Sequence, residues 1–174
     1  MKTDIPVVRD YTIPLERYPH LNEKKTLRDA AKVIHSFTAG EKDQLRYADA
    51  LVVNDQNQLV GRITVTDILH GLAPQLVEAT KINKFEGKTA DFPNLALLVE
   101  DSFFKECSLR WSKPISKFMS PVEHTVAADT HLLQALLIML NAKDYNLPVV
   151  ANEEIVGVIR MEEIFKAVSR HCNL

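Results

Sequence analysis

Gly61, Thr64 and Asp67 stand three residues apart in VGRITVTDIL, where an apolar strand pattern gives way to a helical one. A Thr and an Asp at that spacing before an apolar run form a capping box: the Thr hydroxyl accepts from the Asp amide, and the carboxylate reaches back to the Thr amide. The same groups can instead serve a bound molecule, since a carboxylate accepts several hydrogen bonds and the first amides of a helix favour anions. Neither use is catalysis. A reacting centre needs a convergent acid, base or nucleophile. Here the six histidines form no HxxxH pair, no GxSxG or GKS/T loop occurs, and Cys107 has no neighbouring cue for activation. The sequence is read as that of a protein that is not an enzyme.

The corner occurs twice. VGVIRMEEIF, Val156 to Phe165, repeats the outline of Val60 to Leu69 with Gly157 on Gly61, an offset of 157 − 61 = 96. Upstream, TLRDAAKVI matches HLLQALLIM with Leu27 on Leu132, an offset of 132 − 27 = 105. The difference of 105 − 96 = 9 is extra length in the first copy, one residue in the hairpin NDQNQ against ANEE and about eight in the turn-like stretch FTAGEKDQ. Each copy reads as helix, short strand, polar hairpin, strand, helix, with β-branched strands LVV and PVV. The lead-ins YTIPLERYP and KPISKFMSP are expected to correspond, each ending in a Pro that blocks earlier helix formation.

The expected organisation is a lead-in over residues 1–11, a first repeat over 12–72, a linker over 73–112 and a second repeat over 113–174. The linker is too long for a bare loop, and Leu95, Leu98, Val99 and Phe103 at helical spacing predict a covering helix within it.

Two αββα units with VGRITVTDIL and VGVIRMEEIF closing their hairpins resemble a tandem pair of CBS domains, the Bateman module. The resemblance implies an α+β fold of two pseudo-symmetric repeats packed sheet to sheet. It also implies clefts that take adenosine derivatives such as AMP, ADP, ATP or S-adenosylmethionine as regulatory ligands, with no obligatory cofactor. The family pattern at a working cleft, Gly-x-x-Thr/Ser-x-x-Asp, is met by Gly61, Thr64 and Asp67. By that resemblance Asp67 holds both ribose hydroxyls, Thr64 lies at phosphate, and the adenine lies along Asp49, Ala50 and Leu51. The second copy departs from the pattern, with Arg160 in the place of Thr and Glu163 in the place of Asp. An Arg is a poor cap, so the resemblance gives Arg160 a phosphate role, while Glu163, one methylene longer than Asp, stands at the ribose position. It also places Arg46 and Lys143 near phosphate, although lone basic residues usually face water.

Composition narrows the partners. The net charge of −2 comes from 21 basic and 23 acidic side chains that are interspersed, which argues against nucleic acid. The longest apolar run, Leu132 to Leu140, is far short of the roughly 20 residues of a membrane span. Two cysteines make no disulfide framework, and a cytoplasmic location is expected. The helix over Leu132 to Leu140 has Gln134 as its one polar residue, more apolar surface than one sheet can cover, which predicts a homodimer. The reading is a regulatory module that binds an adenine nucleotide and signals to a separate effector protein. The alternative is a scaffold of the same fold with empty clefts, in which Thr64 and Asp67 only cap a helix.

Overall fold

The computed structural model describes residues 5–74 and 103–172. Its strands are β1 (Ile13–Pro14), β2 (His20–Asn22), β3 (Thr38–Ala39), β4 (Gln44–Leu45), β5 (Asp49–Val53), β6 (Leu59–Thr64), β7 (Val126–Ala127), β8 (Asn146–Ala151) and β9 (Glu154–Arg160). Its helices are α1 (Leu27–His35), α2 (Val65–Leu72), α3 over residues 103–110, α4 (Leu132–Ala142) and α5 (Met161–His171). Of the residues expected to form the linker helix, Leu95, Leu98 and Val99 lie outside the described residues, and Phe103 opens α3.

Two sheets carry the repeat, in the orders β2-β5-β6 and β1-β9-β8-β7. The described residues form two compact units, one drawn from residues 5–20, 51–61 and 121–172, the other from residues 21–50, 62–74 and 103–120. In each unit the same positions are buried. Leu27, Ala30, Ile34, Ile63 and Ile68 in one correspond to Leu132, Ala135, Met139, Ile159 and Ile164 in the other, at the offsets of 105 and 96 read from the sequence. Full burial of each large side chain stabilises by about 1.5–3 kcal/mol before entropy is counted.

The lead-ins are exchanged between the copies. Residues 6–14, ahead of the first repeat, lie along the second. Leu132 N–H donates to Pro6 O, Val8 N–H to Thr130 O, and Ile13 pairs with Val158. Residues 113–120, ahead of the second repeat, lie along the first. Leu27 N–H donates to Lys113 O, Ile115 N–H to Lys25 O, and Ser120 pairs with Arg62. The equivalent of KPISKFMSP is therefore PVVRDYTIP, residues 6–14, rather than YTIPLERYP. Val8 and Ile115, both fully buried, are the side chains that anchor the two segments.

Local chemistry explains the turns. Asn152 and Glu153 have φ of 51° and 66°, the paired positive values of a two-residue type I′ hairpin between β8 and β9. The longer loop between β5 and β6 is tied by the Asn54 side-chain oxygen, which accepts from Gln56 N–H and Gln58 N–H, each at 2.9 Å. The extra stretch in the first copy forms a small hairpin of its own, β3 against β4, turned through Gly40 at φ 79°.

Helix α1 is started by a complete capping box. The Thr26 hydroxyl accepts from Asp29 N–H at 3.3 Å, while Asp29 Oδ2 accepts from Thr26 N–H and Oγ1 at 3.0 and 2.9 Å. The Thr26 amide first, and its hydroxyl second, hold the Asp29 carboxyl below its ordinary value of 3.8. A depressed folded-state value gives stability that is present above the unfolded value and lost as pH falls through the folded one. Asp29→Ala is therefore expected to cost about 1 kcal/mol near neutral pH, a deficit that shrinks as pH is lowered below the ordinary carboxylate range. Urea midpoints of the two proteins across that range measure it, and a deficit independent of pH would contradict the assignment.

Candidate functional site

The Gly61–Asp67 corner is built where β6 runs into α2. Thr64 is the N-cap in extended conformation, and its hydroxyl accepts from Asp67 N–H at 3.0 Å. Asp67 Oδ2 accepts from Thr64 N–H and from Thr64 Oγ1, both at 2.8 Å. The capping box anticipated from the spacing is thus formed. Asp67 uses one carboxylate oxygen for it, and Oδ1 accepts no hydrogen bond from the described residues. Val65 N–H donates to Ala48 O at 2.8 Å, which fixes the start of β5 beside the corner. The next amide, Thr66 N–H, has no acceptor among the described residues. An open carboxylate oxygen and an open first-turn amide therefore stand together at one helix start.

The box at α1 is a useful contrast, because its chemistry is the same and its surroundings differ. There the first-turn amides of Leu27 and Arg28 donate to Lys113 O and Trp111 O, so the exchanged lead-in occupies the position in front of the helix.

Asp49, Ala50 and Leu51 form the start of β5 and all are buried. Asp49 is 6% exposed, and a carboxylate so enclosed needs a counter-charge. Arg62 supplies it, with Nε 3.3 Å from Asp49 Oδ2. Arg62 was not singled out in the sequence. Its signal is present, since Arg62 and Thr64 are two apart and share a face of β6, but its partner lies on another strand. Leu51 N–H donates to Pro19 O, so that backbone group is already engaged.

The second corner is built differently. Arg160 is the N-cap of α5 without a side-chain cap bond. Its Nε and Nη2 donate to the two carboxylate oxygens of Glu163 at 2.9 and 2.7 Å. This fork geometry places both Glu163 oxygens on Arg160, and Glu162 adds a second first-turn carboxylate. The corner therefore lacks the open carboxylate oxygen that its counterpart at Asp67 presents. Met161 N–H donates to Tyr145 O as Val65 N–H does to Ala48 O, which aligns Arg46 with Lys143 at an offset of 143 − 46 = 97. Both side chains are exposed. Arg46 lies 5.9 Å from the centroid of the Tyr47 ring, and Lys143 ends α4 in left-handed conformation at φ 54°.

Among the described residues no group of three or more His, Cys, Asp or Glu is placed to hold a metal, and no helix is long and apolar enough to cross a membrane. Cys107 and Cys172 are unpaired.

The fold matches known structures closely over nearly its whole length. A CBS domain-containing protein of unknown function from Kribbella flavida superposes with a TM-score of 0.69 at 19% identity, covering 93% of this chain and 97% of that one. The CBS-pair protein CBSX2 from Arabidopsis thaliana gives 0.65 at 20% identity, with 97% of each chain covered. CBSX2 in complex with AMP gives 0.60 at 18% identity, covering 95% of this chain and 98% of that one. Among curated proteins the sequence finds no match. The CBS domain family matches the sequence itself at residues 7–74 and again at 115–170, the segments that hold the two corners. The chain therefore belongs to the CBS-domain family and carries that domain twice.

Proposed function

We propose that the protein is a regulatory CBS pair that binds an adenosine nucleotide at the Thr64–Asp67 corner and passes the binding event to a separate effector protein. The observation that carries this is the divided use of Asp67, one oxygen in the cap and the other accepting no hydrogen bond from the described residues. A ribose hydroxyl suits the open oxygen, and a phosphate suits the open amide and the helix start. The adenine then lies along the start of β5. That CBSX2, a protein of the same fold, is known in complex with AMP supports this ligand class. Binding and signalling need no catalysis, so the chain acts as a sensor rather than an enzyme, in a cytoplasm that keeps Cys107 and Cys172 reduced. Thermal-shift measurement with AMP, ADP, ATP and S-adenosylmethionine tests the reading. At about a hundredfold excess over Kd, a ligand of the folded state adds roughly 2.7 kcal/mol and raises the midpoint by several degrees. No shift with any of the four would favour the ligand-free scaffold.

The working form is a homodimer joined through the second repeat. Leu133, Leu137 and Leu140 are 63%, 60% and 58% exposed on one stripe of α4, an apolar surface that a second copy can cover. Leu137→Glu is expected to convert dimer to monomer in light scattering at micromolar concentration, without unfolding the chain. An unchanged mass would exclude this stripe as the interface.

A further inference from the structure

Helices α1 and α4 are the same element in two copies, and their buried positions correspond, Leu27, Ala30 and Ile34 with Leu132, Ala135 and Met139. Their outer stripes do not. At the positions of Leu133, Leu137 and Leu140, helix α1 carries Arg28, Lys32 and His35, all exposed. This offset of 105 is fixed by the hydrogen bonds of Leu27 and Leu132 to the exchanged lead-ins. One repeat presents leucines where the other presents Arg, Lys and His, so the two faces are suited to different partners.

The cationic stripe is part of a formed groove. Trp111 is held at the start of α1 by the bond from Arg28 N–H to its carbonyl at 3.1 Å. With Arg28, Lys32 and His35 it lines a cleft of about 320 Å³. The same indole, with Ala31 and His35, also lines a narrower cleft of about 130 Å³ whose remaining described walls include Ile34, Leu45, Ile68 and Leu69. No described residue lining either cleft is a carboxylate. Beyond Trp111 the surface continues with Arg110 and Lys113, beside Glu106.

We infer that this groove docks an acidic, amphipathic peptide segment of the effector protein, carboxylates on Arg28 and Lys32 and aliphatic side chains beside Trp111. The inference rests on the regulatory reading for the existence of an effector, but not for its chemistry. Cations on one side of an indole and aliphatic walls on the other match a chain whose acidic and apolar residues alternate at helical spacing. Nucleic acid fits less well, because the aliphatic cleft beside Trp111 offers a phosphate backbone nothing. A second copy fits less well too. Two such stripes would repel one another, and the Leu133–Leu137–Leu140 stripe has no carboxylate to offer.

Trp111 is the single tryptophan of the chain, so its emission reports on this groove directly. The experiment titrates the full chain, without nucleotide, with a synthetic helical peptide bearing Glu on one face and Leu on the other. Its scrambled isomer, its Lys-for-Glu counterpart, oligouridylate and phosphatidylserine vesicles are titrated alongside. The Glu/Leu peptide is expected to blue-shift the emission and saturate, with a Kd on the order of 10–100 μM. The double variant Arg28→Glu/Lys32→Glu should weaken binding at least about tenfold, while Lys166→Glu, an exposed charge reversal on α5, leaves it unchanged. Both reversed positions are exposed, and circular dichroism checks that the variant is folded. The proposal is overturned if the peptide gives no shift at about 1 mM or if the double variant binds it equally well. It is also overturned if oligouridylate or vesicles give the Arg28- and Lys32-dependent shift instead. Nucleotide binding with no peptide binding would remove this inference and leave the sensor reading, whereas peptide binding with no nucleotide binding would do the reverse.

Discussion

Gly157→Ala is expected to destabilise the protein by about 2–3 kcal/mol, because the added carbon has nowhere to go. A Cβ at this position would meet the carbonyl oxygen of Ile13 and lie 2.6 Å from Thr12 Cγ2. The first of these is backbone, so no rotamer change relieves it. Either β1 leaves β9 or β9 buckles, and the pairs Ile13 with Val158 and Pro14 with Gly157 are lost. Gly71→Ala is the internal comparison. Its Cβ would lie 2.7 Å from Leu27 Cδ1 and 3.2 Å from Phe118 Cδ1, both ends of side chains that can shift. Exchanging a helical Gly for Ala also gains roughly 1 kcal/mol of propensity, so the two effects nearly offset. Thermal unfolding should fall by roughly 4–12 °C for Gly157→Ala and change little for Gly71→Ala. Hydrogen exchange should show loss of protection over residues 7–14 in the first variant alone. A Gly157→Ala protein with a wild-type midpoint would mean that β1 does not depend on this close approach.

That contact shows what the sequence could and could not reveal. The two corners, the helices and the hairpins are written in local signals: glycine spacing, leucine periodicity and short polar turns. The offsets of 96 and 105 derived from them reappear in the buried residues of both units. Which copy a lead-in pairs with is a long-range property. Neither YTIPLERYP nor PVVRDYTIP declares itself as the counterpart of KPISKFMSP, since all three end in Pro and share an apolar rhythm. Hydrogen bonds from Leu132 to Pro6 and from Leu27 to Lys113 decide it. The same division holds at the site. The Thr64–Asp67 box is an i, i+3 contact and was legible, as was the weakness of Arg160 as a cap. The ion pair of Asp49 with Arg62 joins two strands, and the fork between Arg160 and Glu163 depends on side-chain rotamers that residue spacing alone does not fix.

Asp67→Ala is expected to weaken adenine-nucleotide binding at least about tenfold, from the loss of ribose contacts on the order of 1.5–3 kcal/mol each in a shielded site. It should also cost roughly 1 kcal/mol of stability through the lost cap, whether or not ligand is present. Asp29→Ala removes the matching box at α1 and so provides the control, with a similar loss of stability and unchanged affinity. Asp67→Asn separates the two roles more sharply. Its amide oxygen can still accept from Thr64 N–H and Oγ1, as Oδ2 does now at 2.8 Å each. The atom facing outward then becomes an NH₂, a donor where the ribose hydroxyls need an acceptor. Folding should therefore survive better than binding. Calorimetry with AMP on wild type, Asp67→Asn and Asp29→Ala compares them directly. If wild type binds no adenine nucleotide at millimolar concentration, or Asp67→Asn binds as well as wild type, the carboxylate serves only its helix. In that case the protein is a scaffold whose conformation answers to its partners and not to a nucleotide, because a ligand can shift an equilibrium only by its differential affinity for the states involved.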